Sequence, residues 1–365
     1  MTDAYEKAGV DYDVLDRAKR LAIAEALATS SQLAHHGASA VDSSRGEPAF
    51  LFNIDGNAYG FVLECLGTKS VLARRYQEES GVELFSHVAY DTVAAIVNDL
   101  ICVGALPLVV NAYFSTGGAD WYADEDRFAS LVSGWRAACE DARATWGGGE
   151  SPSLSGLVSK KDIELAGSAV GRVPPGSLPI DGSQLSLGDE IVLVASTGLH
   201  ANGASLVRMV GDSLPDGLST ALPSGRPLGE AALDQSAIYV ELVAQLLEQG
   251  VPVTYLSHIT GHGLRKLMRA PHDLSYQIER LPEVPEVLAF LVENLGMDNH
   301  EAYGTFNMGA GFAVYVKEGA ARRVEEIASA IGLHAQRAGV VGEGPRRVTL
   351  EQVEVTFSDE ELSLR

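Results

Sequence analysis

The stretch YDTVAAIVNDLICVGALP, residues 90–107, decides how this chain folds. Ala94, Val97 and Ile101 recur at helical spacing and the run is apolar almost all round, so it reads as a buried helix. Gly104 supplies the stop, and Pro107 keeps the helix from restarting. Inside it stand Asn98 and Asp99, an amide and a carboxylate where the pattern calls for hydrophobes. A carboxylate taken out of water must be paired or must hold a cation. The helix alone leaves both readings open: Asp99 fixes a neighbouring segment, or it binds a metal ion.

Around this helix lie 365 residues, enough for two domains and a large core. A hydrophobic fraction of 46% and a charged fraction of 21% are those of a soluble globular protein. No apolar run approaches the roughly 20 residues of a membrane span, and residues 1–14 lack the basic-then-apolar form of a secretory signal. Cys65, Cys102 and Cys139 show no metal-ligand spacing and cannot all pair. A cytoplasmic protein is expected. The formal charge of −22 counts against a nucleic-acid or anionic-membrane surface. It leaves room for an anionic small ligand held by backbone donors and a cation.

Residues 13–28 read as an amphipathic helix and 30–48, with His35 and His36, as a mobile polar loop. Residues 49–54 and 58–65 form a hairpin about Asp55-Gly56-Asn57. A short helix, the Asp99 helix and a strand over 106–115 follow. A helix over 126–145 places Phe128, Leu131, Trp135 and Cys139 on one side and ends at the glycines 147–149. A strand covers 163–173, and Pro174-Pro175-Gly176 marks a domain boundary, dividing the chain into 1–174 and 175–365. Beyond it come a strand over 190–196, a helix from Ala204 to about Val210, a loop over 211–231 and a helix over 233–249. A helix after His258-Ile259-Thr260-Gly261-His262-Gly263, another over 281–296, a glycine-rich turn and strand over 305–317 and a helix over 319–332 complete the body. Short strands near 338–342 and 347–356 close the chain. The mixture lacks strict βαβ alternation, which favours an α+β fold of two α/β domains over a doubly wound sheet.

Several residues suit phosphate chemistry. Gly67-Thr68-Lys69 ends like a P-loop, but Val62 occupies the place of its first glycine, so no Walker motif is present. Lys69 can act as a phosphate-binding point charge or be an ordinary surface lysine. Glu64, Asp91 and Asp99 are oxygen ligands of the kind that share Mg²⁺ with nucleotide phosphates; they can equally be three unrelated acids among 49. Gly147-Gly148-Gly149-Glu150 allows close backbone approach to an anion. His200 lies between a strand and a helix and is followed by Asn202-Gly203, where free amides can meet phosphate; it is a general acid–base group, an anion ligand or a structural cap. His258 and His262 are four apart, but Gly261 and Gly263 argue against a helical zinc pair.

In their order along the chain, these pieces resemble the aminoimidazole ribonucleotide synthase family, the phosphoribosylformylglycinamidine cyclo-ligases. The resemblance runs through Tyr5, Ala8-Gly9-Val10-Asp11, Leu66-Gly67-Thr68-Lys69, Asp91, Val97-Asn98-Asp99-Leu100 and Gly104-Ala105-Leu106-Pro107. It continues through Gly148-Gly149-Glu150, Ala166-Gly167, Gly171, residues 200–208, His258-Ile259-Thr260-Gly261 and Thr305-Phe306-Asn307-Met308-Gly309. It implies an N-terminal domain whose strands build a barrel at a homodimer interface, a C-terminal domain closing the site, and the use of ATP and Mg²⁺. Lys69, Asp99 and His200 are then the catalytic candidates, and Glu64, Asp91 and Asp99 the metal ligands. Gly67, Thr68, Lys69, Asn98, Asp99, Gly148, Gly149 and Glu150 would meet the nucleotide. His200, Asn202, Gly203, Thr260, Gly261 and Asn307 would meet a ribonucleotide substrate.

The chain departs from the family pattern in places. Glu64-Cys65-Leu66 stands for Asp-Gly-Val, Ser153 lies where a second acid is usual, and His262 replaces a glycine. Arg265-Lys266-Leu267-Met268-Arg269 replaces a stretch with Glu-Asn and a closing Pro-Arg. A paralogous ATP-using enzyme acting on another amide or acid, and a nucleotide-binding dimer without turnover, are the competing expectations.

Overall fold

The computed structural model describes residues 12–362, so Tyr5 and Ala8-Gly9-Val10-Asp11 lie outside the described residues. The first half runs α1 (Tyr12–Ala28), β1 (Ala38–Ala40), β2 (Phe50–Ile54), β3 (Asn57–Cys65), α2 (Lys69–Ser80), α3 (Phe85–Ile101), β4 (Leu106–Thr116), α4 (Glu125–Asp141), β5 (Thr145–Glu150) and β6 (Ile163–Arg172). Its six strands form one mixed sheet in the order β1-β2-β3-β6-β4-β5, antiparallel except for the β4–β5 pair. Asp55 and Gly56, both with positive φ, make the two-residue turn between β2 and β3.

The second half runs β7 (Glu190–Ala195), α5 (Ala204–Ser213), α6 (Leu228–Ala232), α7 (Val240–Glu248), β8 (Val253–His258), β9 (Leu274–Ile278), α8 (Glu286–Leu295), α9 (Asn299–Thr305), β10 (Ala310–Val316), α10 (Ala321–Ala330), β11 (Ala335–Glu343), β12 (Arg347–Leu350) and β13 (Val355–Ser358). Its seven strands order as β13-β12-β9-β11-β7-β10-β8, with only β12–β9 parallel. The chain is thus a mixed α/β protein of two sheets, in keeping with the expected class. β10 is buried along its whole length because strands flank it on both edges and side chains cover both faces.

Helix α3 lies on the inner face of the first sheet. Val93, Ile96, Val97, Leu100 and Ile101 are fully buried there. Gly60 of β3 makes room for the helix end: a Cβ at Gly60 would come within 2.9 Å of Leu100. The other side of α3 turns to the second half, where it meets α7 and β8.

Several expectations are corrected. The segment over 30–48 is no loose loop. It holds two 3₁₀ turns and β1, and its end is fastened to the second half: Tyr255 donates to Glu47 at 2.8 Å, and Arg269 donates to the carbonyl of Gly46 at 2.9 Å. Glycines 147–149 do not close a helix but form β5, because α4 has already ended at Asp141. Gly149 is required there, since a Cβ would fall 2.0 Å from the carbonyl oxygen of Ala112. The expected helix over 233–249 starts only at Val240, and β8, β9 and α9 are additional elements.

The helices α3 and α4 touch at Gly134, where an added Cβ would lie 2.0 Å from the carbonyl oxygen of Ser86. Gly134→Ala is expected to force the helices apart and to lower stability by about 1–3 kcal/mol, the usual range for overpacking. A thermal melt of the variant beside the unaltered protein checks this.

Candidate active-site cleft

The two halves meet along a seam of buried polar groups, most of them supplied by α2 and α3. Lys69, in the first turn of α2, is fully buried; its Nζ donates to Asp91 of α3 and, at 2.7 Å, to the carbonyl of His200. The other Asp91 oxygen accepts from the Ser236 amide at 2.6 Å. Two turns further on, the Asn98 side chain donates to the carbonyl of Ala237 at 2.8 Å and accepts from the Tyr239 amide at 2.9 Å. These side chains claim backbone groups that a helix over 233–239 would have used, and so keep that segment out of a helix.

His200 has a positive φ of 60°, and Gly203 follows at 107°. This strained turn aims the His200 carbonyl at Lys69 and folds the ring back on its own loop. The amide of Thr197 donates to Nε2 at 3.1 Å. Burial, then the charges of His258 and Lys69, push the imidazole pKa down to about 3. The ring is therefore neutral near pH 7, with Nε2 as acceptor and the proton on Nδ1. It lacks the pKa of an acid–base group at that pH, because its charged form cannot be solvated. Asn307 braces the same loop, donating to the carbonyls of Gly198 and Leu199 and accepting from Ser196 and Gly309.

A cleft of about 220 Å³ opens on this seam, lined among others by Glu64, Asp99, Asn202, His258, Thr260 and Lys266. Gly261 and His262 also border it. His258 Nδ1 donates to Asp99 at 2.6 Å. Burial raises the Asp99 pKa, but the hydrogen bond and charge of His258, with Lys266 and Arg269 behind them, outweigh it and hold the group at about 2. Glu64 moves the other way: burial first, then the Asp99 charge, push it up to about 8. Two acids side by side thus divide into an ionised Asp99 and a protonated Glu64 at neutral pH.

The expected metal set does not assemble. Glu64 and Asp99 meet, but Asp91 is committed to Lys69 and the Ser236 amide. Among the described residues no group of three His, Cys, Asp or Glu is gathered to hold a metal ion. Lys69 is likewise no exposed phosphate anchor but a strut between the halves. Gly148, Gly149 and Glu150 lie on the exposed edge strand β5 and do not line the cleft, although the sequence suggested a phosphate cradle there. Gly67, with φ of 68°, turns the chain from β3 into α2, and Thr68 meets Ser205 at 3.0 Å across the seam. The sequence reading named Lys266 only within the altered stretch 265–269, without a site role, and gave His258 as half of a disfavoured zinc pair and as part of a family motif. For His258 the signal was present: a histidine at the end of an apolar run.

Paired sheets with a cleft on their seam define the AIR synthase-like class of fold. A thiamine monophosphate kinase from Aquifex aeolicus superposes with a TM-score of 0.55 at 16% identity, covering 82% of this chain and 90% of that one. The structure described as a HypE–HypF complex gives 0.58 at 17%, covering 86% and 93%. Residues 46–173 match the family described as AIR synthase related protein, N-terminal domain, and residues 187–351 its C-terminal domain. The phosphoribosylformylglycinamidine cyclo-ligase of Methanothermobacter thermautotrophicus is 32% identical over 313 residues, 85% of this chain and 88% of that protein. That of Clostridium perfringens is 31% identical over 348 residues, 93% and 96%. The chain belongs to the AIR synthase related family, among the phosphoribosylformylglycinamidine cyclo-ligases.

Lys69→Met is expected to leave Asp91 buried without its cation and to cost about 3–5 kcal/mol, the usual penalty for removing one partner of a buried pair; denaturant titration checks it. His200 gives a pH dependence of known sign. Between its ordinary value near 6.5 and its folded value of about 3, the unfolded chain binds a proton that the folded chain refuses. Its contribution to stability is therefore complete above pH 6.5 and is lost as pH falls, by at most about 1.4 kcal/mol per pH unit. His200→Asn should flatten that part of a stability–pH curve measured by urea unfolding.

Proposed function

We propose that the chain is an ATP-dependent cyclo-ligase that closes the imidazole ring of formylglycinamidine ribonucleotide, giving aminoimidazole ribonucleotide, ADP and phosphate. The observation that carries this reading is the match to curated cyclo-ligases, at 32 and 31% identity, along both halves of the chain. ATP phosphorylates the amide oxygen of the substrate, a substrate nitrogen attacks the same carbon, and phosphate leaves as the ring closes. Such transfer depends mainly on positioning and on charge stabilisation. Asn202, Thr260 and Gly261 are the proposed substrate contacts in the cleft. The amides of Gly67 and Thr68, where β3 turns into α2, are the proposed contacts for the nucleotide, which brings Mg²⁺ with it. Asp99 is the ionised group facing them. Lys69, His200, Asn98 and Asn307 serve by fixing the loops that carry these contacts. In this reading the boundary lies at Pro174, with a nucleotide-binding unit before it and a synthase-like unit after it, and the enzyme works in the cytoplasm.

A homodimer through the outer face of the first sheet belongs to the same proposal. Phe61, Leu63 and Leu108 are 47, 69 and 46% exposed there, an apolar strip that a second copy would cover. Leu63→Arg is expected to halve the mass measured by light scattering.

The activity is tested with purified protein, ATP, Mg²⁺ and formylglycinamidine ribonucleotide, following aminoimidazole ribonucleotide and phosphate together. Equal amounts of both are expected. Phosphate without the imidazole, or neither product, would overturn the substrate assignment.

A further inference from the structure

The cleft contains a cation that neither the fold nor the proposed reaction has yet used. After β8, the chain turns through Gly263, which packs so closely that a Cβ would lie 2.1 Å from the carbonyl oxygen of Tyr303. A 3₁₀ helix over Gly263–Met268 follows. Ser257 ties it down by donating to the Lys266 carbonyl at 3.0 Å. Arg265 turns away to the carbonyls of His262 and Gly304, whereas Lys266 faces the cleft. Lys266 is only 8% exposed; its Nζ donates to Thr260, and it lies within electrostatic reach of both Glu64 and Asp99. Arg269 sits behind it, held by Gly46 and Glu47.

We propose that Lys266 is a positioning residue: a resident counter-cation that lines the same cleft as the acids Glu64 and Asp99, in place of a protein-bound divalent ion. The argument is one of charge and ligand supply. An ionised carboxylate with a second acid beside it in a partly dry cleft needs a positive charge close by. A divalent ion would need several oxygen ligands, yet the third candidate acid, Asp91, is spent on Lys69. One Asp99 oxygen is taken by His258. An ammonium demands no fixed coordination geometry and here is anchored by Thr260. The cleft therefore meets its nucleotide and substrate with its acids already balanced, and any Mg²⁺ that acts there arrives on the nucleotide. This last step rests on the proposed use of ATP; the counter-cation itself does not.

The test needs neither nucleotide nor turnover. Mn²⁺ is titrated into the full-length protein, and free ion is followed by electron paramagnetic resonance. The unaltered protein is expected to bind Mn²⁺ no better than Asp99→Asn does. Lys266→Gln should gain one site, tighter by on the order of ten-fold or more, and the double variant Lys266→Gln, Asp99→Asn should lose it. Circular dichroism establishes that each variant is folded. A site in the unaltered protein that Asp99→Asn removes would overturn the proposal, as would a folded Lys266→Gln that gains none. If Lys266→Gln fails to fold, comparison of the unaltered protein with Asp99→Asn still decides. Failure of the ring-closure assay would leave this result standing, so the two readings fall separately.

Discussion

The buried pair of Lys69 and Asp91 is the contact on which the two halves depend. Its charges lie on α2 and α3 of the first half, and each is completed by backbone of the second: the His200 carbonyl for the lysine, the Ser236 amide for the acid. Neither charge is satisfied until the halves have met, because a buried ion without its full set of partners is costly. The seam is thus specified by direction as well as by burial. A hydrophobic seam of equal area would tolerate sliding, whereas this one fixes the register of α3 against β8 and with it the distance between Asp99 and His258.

That register shapes the electrostatics of the cleft. Asp99 reaches His258 because α3 projects Asn98 and Asp99 toward the second half, one to hold the segment over 237–239 and the other to face the cavity. The ionised Asp99 in turn helps to keep the Glu64 proton in place. His200, which the sequence suggested as a proton carrier, is held neutral by the same lack of solvent that makes the seam rigid. The cleft therefore presents positioned dipoles and fixed charges rather than a titrating imidazole.

Much of this was legible in the sequence, for identifiable reasons. The apolar run about Asp99 exceeds what a surface helix carries, so its burial could be read directly, as could the Asp55-Gly56 hairpin. The family resemblance could be read because its motifs lie at turns, where residue identity is dictated by backbone geometry. What escaped was set by contacts far along the chain. Residues 233–239 have helical composition, but their backbone groups are taken by Asp91 and Asn98, some 140 positions earlier. β8 is short and apolar, a pattern that cannot by itself be told from a helix. The glycines of β5 look like a phosphate cradle; their local use is close approach to β4. The role of Asp91 was invisible because nothing in a sequence says which acid a buried lysine will choose.

The fastening of residues 46 and 47 to Arg269 and Tyr255 bears on the order in which the chain can be assembled. These residues leave the ribosome more than 200 positions before their partners do. The strip that carries β1 and leads into the first sheet cannot be anchored during that interval, and neither can the Lys69–Asp91 pair, which waits for His200 and Ser236. The first half is made early but completed late. Contacts of such long sequence separation slow folding and prolong the exposure of sheet edges. For this chain, synthesis of the second half is the step that ends the exposure, so truncation before residue 255 would leave an acidic, open-edged fragment rather than a smaller working protein.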